Sequence, residues 1–236
     1  MSKASNSSER DQYLDAGYAV LAVGYFKMPS LPEELDRISL DAIYEKVIEA
    51  QQLPFINSQC VAVMGGSKGA ELALLLASLY PDIDGAVALV GSHVSFASPS
   101  FRTGASTASF QNNGRDIPFV QIPNSAIPSM LTGDFREAYK IALEEGGKDI
   151  VNAVIRAEFI KGPVLLVSGE NDHVWPSAEM SEKVIKRLEE NDFAYPYEHI
   201  MAPAGDHFVP QNEYHGHAIA FLNKHFKASC QQEDGN

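Results

Sequence analysis

The sequence predicts an α/β fold in which a mostly parallel sheet carries helices on both faces. Short continuous apolar runs, CVAVM at 60–64, GAVALV at 85–90 and VLLVS at 164–168, have the length and character of strands covered on both sides. The stretches between them space their apolar residues with a helical period. A length of 236 residues suits one domain with a continuous core, without internal repeats or low-complexity segments.

Taken in order, YAVLAVG at 18–24 predicts the first strand, 40–50 a helix, and 60–64 the next strand. A helix over Lys68–Leu79 leads to the strand at 85–90. The strand at 164–168, a helix over Ser177–Glu190, a short strand at 198–201 and a helix at 216–226 complete the pattern. The exception is 91–127, rich in Ser, Gly, Asn and Pro, a length that compact domains rarely leave without structure. With helical stretches at Phe135–Glu145 and 150–159 it predicts an irregular cap, about 92–160, over the sheet's carboxyl edge, and 228–236 is a polar tail.

The formal charge of −13 and the lack of a basic stripe argue against nucleic-acid binding. No apolar run approaches the roughly 20 residues that span a bilayer. The first 17 residues are polar, without the apolar stretch of a secretory signal, which predicts a cytoplasmic protein. Cys60 and Cys230, one entering an apolar run and the other in the tail, read as unpaired thiols. Residues 102–161 hold seven Lys or Arg against seven Asp or Glu, so the flanks carry the whole negative excess.

The richest signal is MGGSKGAELALLLASL, residues 64–79. A strand running into Gly65-Gly66-Ser67-Lys68-Gly69 and then a helix is the setting of a G-x-S-x-G nucleophile elbow. Such a turn holds its serine in a strained conformation, and the glycines remove side chains that would collide with strand and helix. Ser67 would stand at a helix amino terminus, where the backbone N–H of Lys68 is aimed at an oxyanion. No G-x-x-x-x-G-K-[ST] pattern exists, which excludes a P-loop, and a purely structural turn capped by Ser67 is the alternative.

A nucleophilic serine needs a histidine base and a carboxylate to orient it, and in this kind of sheet they follow in the order serine, acid, histidine. GENDHVW after the strand at 164–168 supplies Asp172, and PAGDHF supplies His207 ahead of the last helix. Glu170 and Asp206 compete for the acid role, each beside a better-placed residue. Gly66, His93, His173 and Trp175 are candidates for lining a substrate site. The remaining histidines, His199, His215, His217 and His225, show no metal-ligand spacing, and no metal or cofactor is expected.

MGGSKGAELALLLAS, GAVALVGSHV, GPVLLVSGENDHVWPSAEMSEKVIKRL and PAGDHF together resemble the catalytic domain of acyl-CoA thioesterases grouped with bile acid-CoA:amino acid N-acyltransferase. AGYAVLAVGYF and LPEELDRISLDAIYEKVIEA extend the resemblance over most of 17–227. It implies an α/β-hydrolase fold with a triad on Ser67, Asp172 and His207. Members with cysteine at the nucleophile transfer the acyl group to an amino acid and members with serine hydrolyse thioesters, so Ser67 implies hydrolysis of an acyl-CoA through an acyl-enzyme. A carboxylesterase resembling dienelactone hydrolase, an acyltransferase, and a hydrolase-shaped binding protein are the alternatives.

The chain also departs from that family. Within these 236 residues neither the usual amino-terminal β-sandwich domain nor the strand that normally precedes AGYAVLAVGYF is expected, so the sheet is expected to be trimmed at its start, and a fragment of a longer chain is an alternative. Met1–Ser5 fall where the loop giving a second oxyanion donor is expected, and Asp206 replaces a glycine common before the histidine. A polyanionic CoA is repelled at long range by the net charge, which leaves Arg102, Arg115 and Lys68 as candidates for phosphate contact.

Overall fold

The computed structural model describes residues 7–56, 60–100, 102–227 and 230. In chain order the elements are α1 (Ser7–Asp15), β1 (Ile38–Ser39), α2 (Leu40–Gln51), β2 (Ala62–Gly66), α3 (Lys68–Leu79), β3 (Gly85–Leu89), β4 (Phe110–Asn112) and β5 (Arg115–Asp116). There follow α4 (Ile127–Thr132), α5 (Phe135–Glu145), α6 (Gly147–Ala153), β6 (Val164–Gly169), α7 (Ser177–Glu190), β7 (Tyr197–Ala202), α8 (Val209–Glu213) and α9 (His215–Phe221), which runs into a π turn at Leu222–Phe226.

The main sheet has the order β2-β3-β6-β7 with every pair parallel, the arrangement of an α/β-hydrolase. Its strands alternate between two cores, as a period of two requires. Ala86, Ala88, Val164 and Leu166 face a cluster with Leu72, Leu75 and Leu76 of α3 and Val184 and Leu188 of α7. Val87, Leu89, Leu165 and Val167 face the opposite cluster, with Tyr13 of α1 and Ala218, Phe221 and Phe226 from the last helical segment. Burying a Leu or Val side chain contributes about 1.5–3 kcal/mol, so the two apolar faces hold the helical layers against the sheet.

Three sequence expectations are corrected. First, 18–24 forms no strand. Residues 19–26 donate no backbone hydrogen bond to a neighbouring strand among the described residues, and Val20 and Leu21 are 37% and 51% exposed. An apolar run becomes a strand only where it forms a ladder with a partner, and among the described residues this run forms none; β2 is the edge of the sheet and its Met64 is 41% exposed.

Second, Cys60 and Cys230 form a disulfide across 170 residues of sequence, with their Cα atoms 5.9 Å apart. The last helix packs on the sheet face that Cys60 enters, and both cysteines lie against the same apolar cluster. Packing at that range leaves no local trace in the sequence.

Third, the segment expected to be irregular contains regular structure. β4 and β5 pair antiparallel through Asn112-Asn113-Gly114-Arg115, with positive φ at Asn113 (50°) and Gly114 (69°) as an Asn-Gly hairpin turn requires, and β1 adds in parallel to β4. The helix expected at 150–159 is instead α6 followed by a 3₁₀ turn at Ala157–Phe159. A third core, with Val94, Phe96, Val120, Ala142, Trp175 and Met180, joins this segment to the loop after β6 and to α7.

Candidate active site

Ser67 sits between β2 and α3 with φ 56° and ψ −123°, a left-handed conformation that a serine adopts only when its surroundings impose it. A side chain on Gly65 would overlap the main chain of Gly69, so the turn closes only with glycine at the first position. The Ser67 N–H donates to the Leu89 carbonyl at 2.9 Å, which pins the turn to the end of β3. Lys68 opens α3, so no intrahelical carbonyl lies behind its N–H.

Asp172 and His207 are brought together from loops 35 residues apart. His207 Nδ1 lies 3.0 and 2.9 Å from the two carboxylate oxygens, with Asp172 fully buried and His207 4% exposed. An ionised carboxylate only accepts, so Nδ1 is the nitrogen that donates to Asp172, and Nε2 is the nitrogen left for another partner. Burial opposes ionisation of Asp172. The hydrogen bond and charge of His207 together with donors from Ser177 and Val174 outweigh it and hold the carboxyl below its ordinary value.

The two competing carboxylates have other work. Asp206 Oδ1 accepts the Phe208 and Val209 N–H groups at the entrance to α8. Glu170 Oε2 accepts the Ala204 N–H and closes the loop after β7.

Trp175 is 1% exposed. Its ring stands edge-on to His207 with centroids 5.9 Å apart, and its Nε1 donates to the Val90 carbonyl. Gly66 faces Gln211, whose Nε2 donates to the His207 carbonyl at 2.7 Å; the missing side chain makes room for that contact and joins the serine turn to the histidine loop. His173 is exposed, its ring 6.3 Å from the half-exposed Phe208. His93 is buried beside Lys183 of α7, whose charge adds to a pKa pushed down to about 3 mainly by burial, and its Nδ1 has no partner among the described residues. No hydrogen bond or ring contact brings it to Asp172 or His207.

One expectation about anion contacts changes: the Lys68 ammonium is committed to a buried ion pair with Glu71. Arg102 is exposed and lies 3.5 Å from the likewise exposed Glu33. Arg115 lies exposed on β5. Met1–Ser5, expected to give a second oxyanion donor, lie outside the described residues. One residue not singled out from sequence is Arg136 of α5, which donates 2.7 Å to the Asp172 carbonyl and also pairs with Glu179, tying the 91–160 segment to the acid loop. A charged position in an amphipathic helix carries no mark of a partner 36 residues away.

Mouse acyl-coenzyme A thioesterase 1 is 26% identical over 203 residues, covering 82% of this chain and 43% of the relative. Mouse peroxisomal succinyl-coenzyme A thioesterase is 26% identical over 205 residues, again 82% of this chain and 43% of the relative. The chain thus spans less than half the length of these relatives. An acylaminoacyl peptidase from Pyrococcus horikoshii superposes with a TM-score of 0.49 at 13% identity, over 77% of this chain and 25% of that one. The family model described as BAAT / acyl-CoA thioester hydrolase C terminal matches residues 44–231, and the chain belongs to that family.

Proposed function

We propose that the chain is a serine hydrolase that cleaves acyl-CoA thioesters to a carboxylic acid and CoA. The reading is carried by two features together, the buried Asp172–His207 pair and a serine held at positive φ on a strand–turn–helix elbow. Ser67 Oγ adds to the acyl carbonyl as His207 Nε2 takes its proton, Asp172 stabilises the imidazolium, and the Lys68 N–H receives the oxyanion. The C–S bond then breaks with the proton returned to the leaving thiolate, and water, deprotonated by His207, releases the acid from Ser67. A thiol with a pKa near 8.5 leaves with little assistance, so one strong oxyanion donor suffices better for a thioester than for an amide.

Residues 92–160 are proposed as a cap over this centre. Among the described residues no helix is long and apolar enough to cross a membrane. Cytoplasmic location belongs to the same proposal, and the Cys60–Cys230 disulfide weighs against it, since such bonds are rare in reducing compartments.

The test is free-thiol release from acetyl-, butanoyl- and palmitoyl-CoA, with matched neutral esters, by the native chain and by Ser67→Ala. Thiol release that exceeds ester cleavage and falls about a thousandfold or more in Ser67→Ala supports the reading. Release that survives the substitution contradicts it.

A further inference from the structure

Lys68 and Glu71 form a polar centre, one turn into α3, that the proposed chemistry does not use. The Lys68 ammonium donates to both Glu71 carboxylate oxygens at 2.8 Å and to the Phe96 carbonyl at 3.0 Å, so its three donors are all engaged. Glu71 is fully buried and also receives Ser95 Oγ at 2.7 Å and the Phe96 N–H at 3.2 Å. The Phe96 carbonyl takes Ser109 Oγ as its second donor, at 2.9 Å. The pair therefore grips both main-chain polar groups of one residue.

That residue leads back to the site. The Phe96 ring lies 4.8 Å from Tyr139 and 6.0 Å from Trp175, and Trp175 stands behind His207. Tyr25 and Tyr139 also face the pair: burial first, and then the charge of Glu71, pushes each hydroxyl up to about 12, so both stay protonated. Lys68 itself is the residue whose N–H would bind the oxyanion. One side chain is thus fixed to the floor of the 91–160 segment while its own peptide borders the nucleophile.

A buried ion pair is a poor source of stability, because desolvation offsets its attraction, so a closed network at this place calls for another role. We propose that Lys68 and Glu71 are positioning residues: by clamping Phe96 they hold the Lys68 peptide and the Phe96–Trp175 packing behind His207 in a single register. The inference rests on the serine hydrolase reading. Misplacement by about 1 Å costs up to about a hundredfold in rate, which sets the scale of the effect.

The test compares Lys68→Met/Glu71→Gln with the native chain and Ser67→Ala, on p-nitrophenyl butyrate and butanoyl-CoA. The double variant leaves no unpaired buried charge, and the amide keeps an acceptor for the Phe96 N–H. Circular dichroism confirms its fold, and Glu71→Gln alone carries the same test if the double variant does not fold. The expected result is a kcat reduced about 10- to 100-fold with KM within about twofold, and slower labelling of Ser67 by a fluorophosphonate in the same proportion. A folded variant with native kcat, or one in which only KM moves, overturns the proposal while Ser67→Ala stays inactive. Activity in Ser67→Ala overturns the serine reading and this inference with it.

Discussion

The two margins of the four-stranded sheet differ in how their chains are held. On the β6–β7 side, pairing runs the full length of both strands and continues into the loops beyond: the Glu170 N–H reaches the Ala202 carbonyl, the Asn171 N–H reaches Gly205, and Asp172 reaches His207. On the β2 side, pairing with β3 also runs the full length and continues from the Ser67 N–H to the Leu89 carbonyl, but fewer bonds tie the loop beyond it to its neighbours. Residues 18–24 have as apolar a run as any strand in the chain, yet among the described residues they join no ladder, and Leu21 remains half exposed. Apolar character alone therefore does not make a strand; a partner with free donors and acceptors does. A further consequence is that Asp172 and His207 are held by bonds between two loops and to each other, whereas among the described residues the Ser67 N–H is tied to the end of β3 alone.

Substitutions can sharpen or break this contrast. The largest effect is expected at the well-held margin, where Asp172→Asn leaves the shape intact but favours the wrong imidazole tautomer; kcat for thioester cleavage should fall roughly ten-thousandfold with little change in KM. Arg136→Met should reduce kcat by about 3- to 10-fold, because the acid loop loses the donor on the Asp172 carbonyl without losing the acid. A native kcat there would show that the loop needs no support from α5.

Smaller effects concern stability. Cys60→Ser should lower stability by about 2–4 kcal/mol, read as a Tm lower by roughly 5–10 °C and as a loss of sensitivity to dithiothreitol. An unchanged Tm would place the cross-link outside the folded state.

His93 gives a pH signature. Its folded-state pKa, pushed down to about 3 by burial, lies below the ordinary value of 6.5, so between those values the unfolded chain binds more protons. The contribution is complete above about pH 6.5 and is lost as pH falls toward 3, at up to about 1.4 kcal/mol per unit. Urea titrations of His93→Phe should show a shallower fall in stability between pH 6 and pH 4 than the native chain. The smallest effect is expected at the β2 margin, where Leu21→Ser should change stability by less than about 0.5 kcal/mol. A large loss would mean that residues 18–24 are held more firmly than their exposure indicates.

The candidate site was legible where its signal is local. Gly65, Ser67 and Gly69 announce the elbow by their spacing after an apolar run; at Gly65 backbone crowding tolerates nothing larger, whereas Gly69 has room for a side chain, with the Tyr25 hydroxyl 3.7 Å away. Asp172 and His207 were legible from their order along the chain and their places after apolar runs. The contacts that support them were not. The pairing of Lys68 with Glu71 is visible as a three-residue spacing, but the same spacing occurs on exposed helices, as in Lys46 and Glu49. Its burial comes from Ser95 and Phe96 of a distant segment. Arg136, the disulfide and the missing strand are likewise settled by what lies alongside them in space.

The most direct measurement is the intact mass of the chain quenched during turnover of butanoyl-CoA, followed by peptide mapping. The account predicts a butanoyl adduct on Ser67, more abundant early in turnover and absent from Ser67→Ala. Continued thiol release with no adduct on Ser67, or an adduct on another residue that persists in Ser67→Ala, would contradict it.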